Sequence, residues 1–234
     1  MKRLGCFAAA IVLTISSIDA APLTAAPVVA AAPQSTTRLT IAPRSTLVLN
    51  GTSNVASWRC TGTTIRGEAS VAAPLSKVNE VIDRIEDGNI GPWMSNPEAG
   101  KFPPPAFALS IPIETLRCTG GRPMERDLTR TLKAASFPSI DFRLDGVRAG
   151  IEHDLDEHLY RTAIGGHLAL AGVTRELTVP VSAERLTRTT FRLRAELPVR
   201  MTDFSIQPPT AMFGLIKAND GLVVRFDLVL EAAP

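Results

Sequence analysis

Residues 164–181, IGGHLALAGVTRELTVPV, set two alternating apolar runs on either side of a short break. Ile164, Gly166, Leu168 and Leu170 share one face of the first run, and Leu177, Val179 and Val181 share one face of the second, because successive side chains on a strand point to opposite sides. Each run is therefore an amphipathic β-strand with one buried side. Gly172 supplies backbone freedom in the break, and Val173, Thr174, Arg175 and Glu176 are expected to carry the chain round. So short a connection forces antiparallel pairing and argues against a parallel crossover fold.

The same alternation recurs along the chain. Strands are expected over 38–41, 45–50, 55–61 and 65–71, with Pro43 interrupting the first ladder, Gly51, Thr52 and Ser53 forming a bend, and Trp58 and Cys60 on one side. Phe107, Leu109, Ile111 and Ile113 alternate towards Cys118 and predict one strand through FALSIPIETLRC. Ile140, Phe142 and Leu144 mark another strand, as do Phe191, Leu193, Ala195, Leu197 and Val199. The last runs over 222–230, with Leu222, Val224, Phe226, Leu228 and Leu230 on one face. Two segments change period. Leu75, Val78, Val81, Ile82 and Ile85 recur at helical spacing, and their apolar stripe predicts a helix packed on its own domain as a lid. Pro123 suits a first helical turn, and Met124, Leu128 and Leu132 form a stripe through RPMERDLTRTLKA. About eight strands with one apolar face each close most simply on themselves, which also removes exposed edges. The fold class expected is mainly β: a closed antiparallel barrel with one or two short helices.

The ends of the chain are of a different kind. Lys2 and Arg3 precede an apolar run over 4–15 and then small residues, the pattern of a secretory signal peptide over 1–21, with cleavage near Ala21 or after Ala26. The apolar run is shorter than the roughly 20 residues that cross a bilayer. Cys6 stands at the start of that run, ahead of its main apolar stretch, and is expected to be discarded with it. Residues 22–37 are rich in Ala, Pro and Thr without periodicity and read as a disordered leader, so the folded domain is expected over 38–232. Export to the periplasm or beyond leaves Cys60 and Cys118 in a compartment where disulfides persist, and they are expected to be bonded. The Gly- and Pro-rich stretch 89–105 is expected to be a loop, with Trp93 and Met94 on the surface or over an opening.

A formal net charge of +2 without a basic run excludes the electrostatic footprint of a nucleic-acid binder. No G-x-S-x-G elbow, zinc-protease helix or phosphate-cradling loop occurs, so neither catalysis nor a cofactor is expected. Asp141, Asp145, Glu184 and Asp203 read as hairpin and surface charges. His153 and His158, in IEHDLDEHLY, match no established ligand spacing, and His167 points away from the interior beside Leu168, so no metal is expected.

Taken together, LNGTSNVASW at 49–58, PMERDLTRTLKA followed by FPSIDF, GHLALAGVTRELTVPV, MTDFSIQPPTAMFG and DGLVVRFDLVL resemble the YceI-like family of exported, lipocalin-like β-barrels over about 38–232. The pair Cys60 and Cys118 is similar to a subgroup with one cysteine in each of those strands. The stretch 72–105 departs from the usual shorter connection. The resemblance implies a barrel that binds a polyisoprenoid, quinone-like or other long amphiphilic lipid in its interior, without catalysis. The lining then falls to Trp58, Phe107, Phe142, Leu168, Leu170, Phe191 and Phe226, with Phe213 near an opening. The partners expected are such a lipid and, transiently, a membrane; the oligomeric state is left open. Two other readings stand beside this one: a surface-binding or adhesion module whose interior these side chains fill, and a hydrolase with an unrecognised site.

Overall fold

The structure, a computed structural model, describes residues 35–87, 105–148, 152–154 and 159–232. The signal peptide, residues 22–34 of the expected leader, Cys6, Trp93, Met94 and His158 lie outside the described residues; the last three residues of that leader are described, and Thr37 already begins the first strand.

Strands β1 (Thr37–Ile41), β2 (Thr46–Ser53), β3 (Ser57–Gly62) and β4 (Arg66–Val71) lead into helix α1 (Leu75–Glu86). Strands β5 (Ala106–Pro112) and β6 (Arg117–Cys118) precede helix α2 (Gly121–Thr131). Then come β7 (Ser139–Val147), β8 (Glu152–Asp154), β9 (Leu159–Leu170), β10 (Val173–Arg185), β11 (Thr190–Arg200), β12 (Thr210–Ala211) and β13 (Ile216–Ala232). Every pairing is antiparallel: β4–β5, β5–β7, β7–β9, β9–β10, β10–β11 and β11–β13 follow one another around a wall. The 17-residue strand β13 closes it, pairing with β11 along one edge and with β2 and β1 along the other. Three wall strands are each broken into two pieces, β1 with β2, β3 with β4, and β5 with β6, so the result is a closed eight-stranded barrel with two helices.

Two of the breaks fall at prolines. Pro43 cannot donate to the ladder, and the chain turns at Pro43–Arg44. The backbone of Val229 is nonetheless satisfied there: its carbonyl accepts from the Ala42 N–H at 2.8 Å, and its N–H donates to the buried Ser45 hydroxyl at 2.9 Å. The single strand expected through FALSIPIETLRC is instead two, because Pro112 ends β5 and a 3₁₀ turn over Ile113–Thr115 resets the direction before β6. Ile113 remains fully buried across that turn. Near Ser53 the reverse holds, since β2 runs through the expected bend and turns only after it.

The hairpin from which the sequence was read is tighter than expected. Leu170 pairs directly with Val173, so Ala171 and Gly172 alone make the turn, with φ of 51° and 86°. Two successive left-handed residues define the turn that matches the strands' twist. Val173, Thr174, Arg175 and Glu176 therefore belong to β10 rather than to the connection. Helix α2 lays Met124, Leu128 and Leu132 against the core, as its stripe predicts. A second buried group, Met201, Phe204 and Ile206, fills the same end of the barrel beyond β11.

Candidate binding site

The inward residues of the wall do not interlock throughout. They surround a hollow of about 300 Å³ with an almost wholly apolar wall. Leu47 and Leu49 face it from β2, Leu109 from β5, Phe142 and Leu144 from β7, and Ile164 and Leu168 from β9. Leu177, Val179 and Val181 of β10, Leu193, Ala195 and Leu197 of β11, and Val224, Phe226 and Leu228 of β13 face it too, and Leu39, Ala69 and Leu230 line it at one end. These positions alternate along each strand, which is why one face is dry. Outward positions carry the charges: Arg192 and Asp227 pair at 2.7 Å, and Arg225 and Glu196 at 2.8 Å. A second apolar hollow of about 390 Å³ lies towards α2, walled by Trp58, Met124, Leu128, Leu170, Met201, Ile206, Ala211 and Ile216. Leu49 and Ile140 line both hollows.

Of the residues singled out from the sequence, Phe107, Phe142, Leu168 and Phe226 meet around the first hollow. The rings of Phe107 and Phe142 lie 6.3 Å apart in a tilted pair. Phe142 also lies across Gly166, where an added Cβ would come within 2.4 Å of its ring. Trp58 and Leu170 belong to the second hollow instead. Trp58 is held there because its indole covers Gly51, its direct partner across β2 and β3. Phe191 lies outside both linings: it keeps the predicted phase on β11 but sits at the strand's start, against the end cluster of Leu39, Ala69 and Leu230. Phe213 also lies outside, fully exposed at the tip of a turn. Choosing aromatics missed most of the wall, which is aliphatic. The alternation that found the strands was the signal that could have found it.

Cys60 and Cys118 form the expected disulfide, a directly opposed pair between β3 and β6. His167 is exposed, as its phase predicts.

Helix α1 forms where expected, but its apolar residues are only half-buried and stand apart from the core; a polar network ties it to the barrel rim. Tyr160 and Arg185 continue the inward faces of Thr162 and Ala183 beyond the hollow. The Arg185 guanidinium pairs with Asp83 at 2.5 Å and with Glu86, and the Tyr160 hydroxyl donates to Glu86 at 3.1 Å. Arg188 pairs with Asp83 at 3.2 Å, and the buried Asn79 amide donates to the Arg188 carbonyl at 2.8 Å. Burial opposes the charge on Arg185, but the Asp83 and Glu86 carboxylates outweigh it and raise its pKa. Burial, then the Glu86 charge, push the Tyr160 phenol up. The hydrogen bond from Arg185 holds the Asp83 carboxyl below its ordinary value. A carboxyl with a depressed folded-state pKa stabilises above its unfolded value, and that contribution is lost as pH falls. Hydrogen exchange should therefore show α1 losing protection before the barrel strands as pH drops through and below about 4; equal protection of helix and strands throughout would contradict the network's role.

The family model for the YceI-like domain matches residues 49–230. Among solved structures, a polyisoprenoid binding domain from Saccharophagus degradans, implicated in plant cell wall breakdown, superposes with a TM-score of 0.56 at 14% identity, covering 83% of this chain and 98% of that one. BcnA from Burkholderia cenocepacia superposes with a TM-score of 0.51 at 14% identity, covering 81% and 98%. No curated protein matches by sequence. At such identity the structural likeness is one of fold, while the family match spans most of the chain and every wall strand except β1. A family match over that length leads to one conclusion: this chain belongs to the YceI-like family.

Proposed function

We propose that the protein carries or sequesters a polyisoprenoid, quinone-like or other long amphiphilic lipid inside the barrel, without catalysis. The observation that carries this reading is the apolar hollow of about 300 Å³ within a closed wall, bordered by a second of about 390 Å³. Such volumes lie within the range of small-molecule sites, about 300–1,000 Å³. A hydrocarbon tail gains roughly 25 cal/mol for each Å² it removes from water, so it needs no polar anchor along its length. The resemblance in fold to a domain named for polyisoprenoid binding supports the same class of ligand. The signal-peptide pattern over 1–21 supports work in the periplasm or outside the cell, where a carrier would meet lipid at a membrane.

Native mass spectrometry of protein purified from cells is expected to show a retained adduct of lipid mass, removed by organic extraction and restored by titration with a polyprenol or a long-chain quinone. A protein of bare mass that takes up neither compound would overturn the proposal.

A further inference from the structure

The α2 end of the barrel carries an exposed apolar tip that the interior does not use. Between β12 and β13 the chain turns through Met212, Phe213 and Gly214, with φ of 50°, 55° and 90°. Left-handed backbone is unfavourable for side chains such as those of Met and Phe, so the surroundings must hold it. The base of the tip is closed by the pairs Thr210 with Lys217 and Ala211 with Ile216. Asn54 clamps it from the neighbouring turn: its amide donates to the Leu215 carbonyl and its oxygen accepts from the Lys217 N–H, both at 2.8 Å. Val55 follows Asn54 in that turn. Relative exposure is 111% for Phe213, 75% for Leu215, 65% for Met212 and 64% for Val55.

Two features say what covers these side chains. The first is size: four residues fall far short of the roughly 20–30 a side that a stable protein interface needs, whereas a few projecting apolar groups with nearby cations suffice at a lipid surface. The second is charge. No ionisable residue occurs over 207–216, yet the segments at this end of the barrel, 50–62, 117–137, 170–175 and 200–222, carry nine basic residues and four acidic ones. Among the described residues, Arg122, Arg126, Lys133 and Lys217 make no ion pair, and all four are exposed. An uncharged tip amid unpaired cations complements an anionic bilayer, with apolar groups at the acyl boundary and cations at the headgroups.

We propose that the tip is a membrane-docking element that inserts Met212, Phe213 and Leu215 into the interfacial layer of an anionic bilayer. Thr210, Ala211 and Ile216, at its base, also wall the second hollow, so docking would bring that hollow's wall to the lipid. That consequence rests on the carrier reading; the docking itself does not.

The test is flotation of the purified protein with vesicles of phosphatidylcholine and phosphatidylglycerol in a two-to-one ratio, and with vesicles of phosphatidylcholine alone. The triple variant Met212→Asn, Phe213→Asn, Leu215→Ser suits the comparison because asparagine tolerates left-handed backbone. The single Leu215→Ser, which leaves the three left-handed residues in place, is the second variant. Wild type should float with the anionic vesicles and much less with the neutral ones. Binding should fall about a thousandfold in the triple variant and about tenfold in the single one, from roughly tenfold per large apolar side chain kept in water. Uptake of a polyprenol by the triple variant should match wild type, so a failed carrier reading appears in that titration and a failed docking reading in flotation. Wild type that stays with the free protein, variants that float equally well, or a concentration-dependent dimer abolished by the substitutions would each overturn the proposal.

Discussion

Replacing Ala195 by Phe is expected to cut polyprenol uptake by about a hundredfold while leaving the protein folded. Ala195 projects from β11 into the first hollow, level with Phe226 on β13 and Val181 on β10. A cavity of about 150 Å³ is enough to hold a benzene ring, so the new phenyl group takes a large part of the 300 Å³ available. Because it enters space rather than a filled core, it should escape most of the roughly 1–3 kcal/mol that overpacking usually costs. The same substitution at Ala169, which lies on the outward phase of β9 beside the inward Leu168, is the control and should leave uptake unchanged. Titration of both variants with one polyprenol checks the matter; equal uptake by Ala195→Phe and wild type would mean that ligand lies elsewhere.

Loss of the disulfide is the largest effect on stability to expect. Cys60 and Cys118 are 58 residues apart, and closing a loop of that length restricts the unfolded chain by an amount worth about 4 kcal/mol in the chain-entropy account. The link also fixes β3 to the short strand that leads into α2, so reduction releases the helix end of the barrel as well as the unfolded ensemble. Thermal unfolding of the Cys60→Ala, Cys118→Ala variant should occur roughly 10 °C lower than wild type, given about 2–4 °C per kcal/mol for a domain of this size. Coincident melting curves with and without reductant would show that the crosslink adds little.

These results bear on how a barrel of this kind is encoded. The hollow is bounded by ordinary strand alternation, not by special residues. Leu47, Val179, Leu197 and Leu228 line it for the same reason that they would fill a solid core: they sit on the inward phase. Sequence pattern therefore separates inside from outside but does not separate core from cavity. Phe191 and Phe213 illustrate the limit. One is inward in phase but lies at the end of its strand, where Leu39, Ala69 and Leu230 receive it. The other is an aromatic in a loop, and its exposure follows from three successive left-handed residues that propensity does not reveal.

Helix α1 shows a different limit. Its 3.6-residue periodicity identified the helix and its bounds, yet the contacts that seat it are made by Asn79, Asp83 and Glu86 with Tyr160, Arg185 and Arg188. These partners lie 74 or more positions away, and no local pattern pairs them.

The sequence by itself determined the long wall strands, their dry and wet faces, both helices and the cysteine pair, because each is written in spacing or composition over a few residues; the short strands β8 and β12 and the division of β5 from β6 were not legible there. Only the tertiary structure decided where the inward faces stand apart, which end each aromatic occupies, and what fastens α1. Those outcomes depend on β13 pairing with β11 on one side and with β1 and β2 on the other, since the register of that closure sets which distant side chains face each other across the interior.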